Sequence, residues 1–396
     1  MPASSAFTPA KTPHGLRRIL YLSASAEVGG AEESLLTLLA FINRSVFQPL
    51  LAVPGGSDSP LGRCAADMGI ECCSLPLESP QRTLNPLRLA LVWRRLRANQ
   101  KAVANLVAER QIDIIHANTA VAALQADGAP IVCHLRDLRL PILAAVALRR
   151  KCRMFIAISQ AVNAFASRRL ARPVRCLPNG VDSERFRPAA GKAVRKRQYL
   201  LMAAHIAPWK RHDIFIECLA AIRSRDASVA GVIAGSDLFG RHERYWGHLR
   251  CLADDLGLHY ALEWAGAVPR EKMPELFSCA TVVVHPAVEP FGRAILEAMA
   301  CATPVVAADG GGNRELLTGG GMLVKPEDIS GFTAAIWRYL TDPALARAHG
   351  ADGRRLARER YSAADHARSV EAIYSEIGGD RRPKGSSETA FAADDS

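Results

Sequence analysis

EPFGRAILEAMACATPVV, residues 289–306, sets two carboxylates, Glu289 and Glu297, eight positions apart. The run before it, TVVVHPA, is apolar and β-branched, as a buried strand requires. VEPFG carries Pro and Gly and reads as a loop. RAILEAMA then places Ile295, Leu296 and Met299 on one stripe at helical spacing. PVVAAD resumes a strand, so the whole is a β-loop-α-β unit of a parallel sheet. An acid in the loop lies beside the positive end of the following helix, where ligand oxygens also gather. An acid between one and two turns into the helix can accept two hydrogen bonds from vicinal hydroxyls. On spacing alone, the pair reads equally well as a helix cap and a solvated residue.

The same alternation extends in both directions. RRILYLSA (17–24) predicts a first strand and AEESLLTLLAFI its helix. FQPLLAVP, ECCSLPL, IDIIHAN, PIVCHL and MFIAIS follow as strands. Turn residues in VRCLPNGVDSERFRP and the charged GKAVRKRQ break the pattern. It restarts at YLLMAAHI and continues through VAGVIAG, LEWAG, TVVVHPA, PVVAAD and MLVKP. This predicts an α/β protein of two Rossmann-like, doubly wound domains facing a central cleft. The expected divisions are a disordered leader (1–16), a first domain (17–190) and a second domain (191–360). A C-terminal helix (361–377) is expected to pack back on the first domain, followed by a disordered tail (378–396).

A chain of 396 residues suits two such domains. MPASSAFTPAKTPHG lacks the apolar core of a signal peptide, and no apolar run is long enough to span a bilayer. Ten cysteines without a CxxC pair point to free thiols in a reducing cytoplasm. Charge is uneven: residues 1–185 hold 23 Lys and Arg against 13 Asp and Glu, whereas the remainder holds 27 against 26. Arg88, Arg94, Arg95, Arg97 and Lys101 share one helical pattern, and Arg149, Arg150, Lys151 and Arg153 cluster further on. Such a half suits an anionic substrate or an anionic membrane face. Nucleic acid is disfavoured, because the basic stretches lack interleaved aromatics and any reading motif.

VGGAEES (28–34) opens the first helix, where Gly29 and Gly30 let backbone approach a ligand and the helix N-terminus attracts phosphate. It is not GxGxxG, and no acid ends a second strand where dinucleotide binding would need one.

Taken whole, EPFGxxxxEAMAxxxPVVA resembles the signature of retaining GT-B glycosyltransferases of family 4, the glycosyl transferases group 1. Other pieces match in order: GGAE, CHLRD (133–137), LPNGVD (177–182), APWKRHD (207–213), AGSDLFG, WAGAVP and GGGNRELL (310–317). The resemblance covers roughly residues 17–375.

The resemblance implies that Glu297 holds the donor ribose and that Glu289 faces the transferred sugar, with the backbone of Phe291 and Gly292 beside it. Lys210 is the implied diphosphate-binding lysine, and its charge would stabilise the departing nucleoside diphosphate without a metal or cofactor. His134 matches the first-domain histidine beside the sugar, while His116 lines the cleft at most. Gly30 is expected near the donor phosphates. Gly266 and Val268 fall where the base is met through backbone. Two departures stand out. His205 replaces the usual arginine before the lysine, leaving Arg211 or Arg293 to compensate, and Ala302 stands where glycine is usual.

The implied activity moves a sugar from a nucleotide-sugar donor to a sugar or lipid-linked acceptor. It fits surface polysaccharide or glycolipid assembly, cytoplasmic or peripheral on the inner face of a membrane. A small soluble sugar or sugar-phosphate acceptor is one alternative. Another is a nucleotide-sugar binding partner, catalytically weakened through His205.

Overall fold

The computed structural model describes residues 16–78, 85–189, 198–238 and 240–379. The leader before Leu16, most of the charged link at 191–198 and the tail beyond Gly379 lie outside the described residues.

Thirteen described strands form two wholly parallel sheets. The first contains β1 (Arg17–Leu22), β2 (Phe47–Val53), β3 (Glu71–Ser74), β4 (Ile114–Ala117), β5 (Ile131–Leu135), β6 (Met154–Ala157) and β7 (Arg175–Cys176). Its order is β3-β2-β1-β4-β5-β6-β7. The second contains β8 (Tyr199–Ala203), β9 (Ala230–Ala234), β10 (Leu262–Gly266), β11 (Val282–His285), β12 (Val305–Ala308) and β13 (Gly321–Val324). Its order is β10-β9-β8-β11-β12-β13. The two doubly wound domains expected from the alternation are therefore present. The two-residue β7, paired to Ile156 and Ala157, had no strand pattern of its own.

Helices cover both faces of each sheet, which is why strands such as Ile19–Leu22, Val282–Val284 and Val305–Ala308 are apolar without interruption and fully buried. Each large aliphatic side chain so placed stabilises the fold by about 1.5–3 kcal/mol. Strand order reverses between β1 and β4 and again between β8 and β11. At such switch points adjacent loops diverge and leave a crevice at the carboxyl ends of the strands. Gly29–Gly30 follow β1, Lys210 follows β8 and Glu289 follows β11.

The closing helix, Ala363–Gly379, returns to the first domain. Val370, Ile373, Tyr374 and Ile377 share a buried core with Leu35, Leu38 and Phe47. The crossing runs along the LPNGVD turn. Val181 N–H donates to the Tyr361 carbonyl at 2.8 Å, and Ala363 N–H donates to Val181 at 3.1 Å. A β-carbon at Gly180 would lie 2.4 Å from Ala363 Cα, so this approach requires glycine.

Candidate active site

β8 ends at Ala203, and Pro208–Lys210 form a short 3-10 turn ahead of the helix His212–Arg223. This turn directs the Lys210 ammonium onto the Glu289 carboxylate, with 14% and 15% of their side-chain surfaces exposed. His285 Nε2, at the end of β11, lies 3.3 Å from the same carboxylate oxygen. Burial pushes the Glu289 carboxyl up, but Lys210 and His285 outweigh it and hold the group down at about 2. Glu289 is therefore held in its anionic form at neutral pH.

The glycines of GGGN fix the loop that carries this acid. Gly312 N–H donates to the Glu289 carbonyl at 2.8 Å. Gly311 has φ +52°, and a β-carbon there would fall 2.2 Å from that carbonyl oxygen. Asn313, fully buried, donates to Ala287 at 2.8 Å and to Ala308 at 2.9 Å. Glycine and an amide are needed here because one backbone lies directly on another.

His205 occupies the place of the expected arginine. Burial and the nearby Lys210 charge lower its pKa to about 4, so it is neutral at pH 7. Arg211 is paired with acids of its own domain, with Asp213 at 3.0 Å and Glu327 at 2.6 Å. Its αL backbone, φ +59°, turns the chain into the next helix.

Phe291 is buried and Gly292, at φ +82°, starts the helix Arg293–Ala300. That helix buries Ile295 to Ala300, and Glu297 with them. Two guanidinium groups meet Glu297 Oε1: Arg270 Nη2 at 2.7 Å and Arg293 Nε at 2.8 Å. Burial alone would raise the Glu297 carboxyl; Arg270 and Arg293 bring it below its ordinary value. The solvated alternative for this residue is thereby removed. Arg293 also donates to Ser34 Oγ and Thr37 Oγ1 of the first domain, each at 3.1 Å. Gly266, at φ +62°, ends β10 after a register shift, and Val268 leads from it to Arg270.

Across the cleft, Gly29 caps the helix Gly30–Phe41, and its N–H donates to Glu32 Oε2 at 3.3 Å. A β-carbon at Gly30 would meet nothing within 4 Å, so the start of this helix stays open to a ligand. His134, expected beside the sugar, has no exposed surface. It lies 3.3 Å from His116 Nε2, stacks on His366 at 5.9 Å between ring centroids, and sits 3.3 Å from Arg136 Nη2. Strand alternation turns it inward, and burial, with Arg136 nearby, keeps it neutral. His116 is likewise buried, its Nδ1 2.7 Å from the Tyr374 hydroxyl, and does not line the cleft.

The same segment instead presents Arg136 and Asp137. Arg136 Nε donates to the Asn118 carbonyl at 2.9 Å, and Nη1 donates to Asn179 at 2.9 Å. Asp137 retains exposed surface but is walled by the cleft. Desolvation there raises its carboxyl, Glu289 adds to this, and Arg139 and Lys210 oppose it. A cavity of 80 Å³ opens alongside, lined by Thr119, Arg136, Asp137, Arg139, Leu140 and Phe165. Sequence reading passed over Arg136 and Asp137, although both belong to the CHLRD motif. Glu33 and Arg270 were missed for another reason: their partners come from opposite domains, and no spacing announces that.

Comparison with known proteins places these features in a family. Residues 28–185 match the model described as Glycosyltransferase Family 4, and residues 183–356 match Glycosyl transferases group 1. A GDP-mannose-dependent alpha-(1-6)-phosphatidylinositol monomannoside mannosyltransferase of Mycolicibacterium smegmatis is 30% identical over 203 residues, 47% of this chain and 52% of the relative. A lipopolysaccharide core biosynthesis mannosyltransferase of Rhizobium leguminosarum is 29% identical over 220 residues, 53% of this chain and 62% of the relative. The matched stretch thus spans about half the length of these curated relatives. In fold, the chain is similar to Anabaena HepE, solved with UDP and glucose, with TM-score 0.74 and 24% identity over 90% of this chain and 99% of that one. Sucrose-phosphate synthase of Thermosynechococcus elongatus is similar with TM-score 0.75 and 21% identity, over 92% and 99%. The chain, with one family model on each of its two domains, belongs to the glycosyl transferases group 1 and family 4 glycosyltransferases.

Proposed function

We propose that this protein transfers a sugar from a nucleotide-sugar donor to an acceptor, with retention of anomeric configuration and without a metal ion. The observation that carries the reading is the placement of Lys210, Glu289 and Glu297 at the switch point of the second sheet. Glu297 takes the ribose hydroxyls and Lys210 the diphosphate. Glu289, held anionic at neutral pH by Lys210 and His285, stabilises positive charge developing at the anomeric carbon. The bond from that carbon to the diphosphate oxygen breaks and a bond to the acceptor oxygen forms on the same face. The acceptor's proton leaves with the nucleoside diphosphate. Asp137, within electrostatic reach of Glu289 and Lys210, faces the acceptor side.

The acceptor is proposed to be lipid-linked or part of a surface polysaccharide, reached by peripheral docking on the cytoplasmic face of a membrane. Among the described residues no helix is long and apolar enough to cross one. The helices Pro86–Glu109 and Ile142–Lys151 expose Leu87, Leu91, Trp93, Ile142 and Leu143 beside the basic clusters, as an interfacial surface would. The relatives support this, one acting on a phosphatidylinositol monomannoside and one in lipopolysaccharide core biosynthesis. A second reading, a weakened nucleotide-sugar binder, is favoured only by the neutral His205.

The test is donor binding and slow donor hydrolysis across UDP-, GDP- and ADP-sugars, with wild type and Glu297→Ala compared. Selective binding of one donor, lost in the variant, is expected. Binding without hydrolysis in the presence of candidate acceptors would favour the second reading.

A further inference from the structure

The acid assigned to the ribose is not held by its own domain alone. Glu33 lies on the first-domain helix Gly30–Phe41, yet its carboxylate reaches Arg270 Nε at 3.0 Å and Arg293 Nη2 at 3.8 Å. These are the two guanidinium groups that meet Glu297. Two acids and two bases thus cancel in one largely buried cluster bridging both sides of the cleft. Ser34 and Thr37, on the same helix, accept from Arg293. Arg270 is braced from below, its guanidinium 4.6 Å from the centroid of the Phe186 ring.

We infer that Glu33 is a positioning residue for the donor. Acting through Arg270 and Arg293, it orients the Glu297 carboxylate and couples donor binding to closure of the two domains. The inference rests on the reading of Glu297 as the ribose-binding acid. When the domains separate, Glu33 withdraws and two guanidinium groups are left with one carboxylate. Both already meet Glu297 Oε1; without Glu33 their remaining N–H groups are free to turn onto Oε2 as well, covering the oxygen that ribose hydroxyls need. With Glu33 in place, part of that attraction is diverted and a Glu297 lone pair stays available. A donor that binds the closed arrangement better must, by linkage, favour closure. The first domain thereby influences donor affinity through Glu33, a residue that does not itself touch the donor.

The experiment is calorimetric titration of UDP, GDP, ADP and their sugar conjugates into the full chain, paired with small-angle scattering of the same samples. Wild type, Glu33→Gln, Glu33→Asp and Glu297→Gln are compared, with thermal unfolding verifying that each is folded. The nucleotide that binds wild type is expected to bind Glu33→Gln about tenfold more weakly. Glu33→Asp should recover most of the loss. Scattering should show a larger radius of gyration for Glu33→Gln. Arg270→Lys, which keeps charge but loses the fork that bridges two acids, should move in the same direction. Wild-type affinity in Glu33→Gln alongside lost binding in Glu297→Gln overturns the positioning role while the donor site stands. Wild-type affinity in Glu297→Gln overturns the donor-site reading and this inference with it.

Discussion

Lys210 and Glu289, 79 positions apart in the chain, form an ion pair between the loops that follow β8 and β11. The pair holds Glu289 ionised and at the same time fixes the ammonium that the proposed function gives to the diphosphate. On that proposal donor binding shares the lysine between two anions, which makes Lys210 the residue on which both charges depend.

Lys210→Met should reduce turnover by about 10²–10³-fold, the usual cost of one preorganised donor of charge stabilisation. It should also change the pH profile. In wild type the Glu289 carboxyl is depressed to about 2, so its contribution to activity and stability is intact above the ordinary carboxylate range and is lost only as pH falls toward 2. Without Lys210, burial is opposed by less charge and the carboxyl rises. The variant's residual rate should then show an acidic limb that wild type lacks. Superimposable profiles would mean that Lys210 and Glu289 are not coupled.

His205→Arg should tighten nucleoside diphosphate binding by about three- to tenfold, because a charge-assisted hydrogen bond replaces a neutral ring. His205→Gln should change little at pH 7.5, where the native ring, depressed to about 4, carries no charge. A large loss in the glutamine variant would mean that the neutral imidazole itself contacts the donor.

Acid should destabilise the fold well above the carboxylate range. Burial lowers His116 to about 3 and His212 and His366 to about 4, and places His134 well below its ordinary value. Groups depressed in the folded state contribute stability that is whole above about pH 6.5 and is lost progressively as pH falls below it. The urea midpoint should drop steadily between pH 7 and 5. His366→Gln should flatten that slope, and equal wild-type midpoints at both pH values would contradict the assignment.

Ala302 takes φ +58°, a conformation that costs an L-residue with a β-carbon about 1 kcal/mol. Ala302→Gly should therefore stabilise the protein by up to about 1 kcal/mol, offset in part by the freer unfolded glycine. Gly180→Ala should act oppositely, costing about 1–3 kcal/mol, as its methyl collides with the crossing at Ala363. Thermal unfolding of the two variants tests both signs.

Membrane docking is checked by sedimentation with anionic and neutral vesicles. Trp93→Ser with Leu143→Ser should weaken binding to anionic vesicles several-fold while leaving donor binding intact. Equal wild-type binding to both vesicle types would count against the electrostatic part of the surface.

Local patterning determined much of this molecule. A strand buried on both faces must be apolar throughout, and a crossover helix must carry one apolar stripe, so VVVH, RAILEAMA and PVVA declared a parallel α/β unit in residue order alone. The EPFGxxxxEAMA string likewise located Glu289 and Glu297, because the loop and helix that separate them are contiguous in the chain. Tertiary structure decided what those acids meet. Lys210 reaches Glu289 only because β8 and β11 are neighbours across a reversal of strand order. Arg270 reaches Glu297 only because the loop after β10 folds beside the helix after β11, and Glu33 joins them only because the first domain lies against the second. It also decided that His134 is sealed inside while Asp137 keeps exposed surface, since strand twist and the returning helix determine which neighbours cover a side chain. Such contacts depend on distance in space, and nearness along the chain carries almost no record of them.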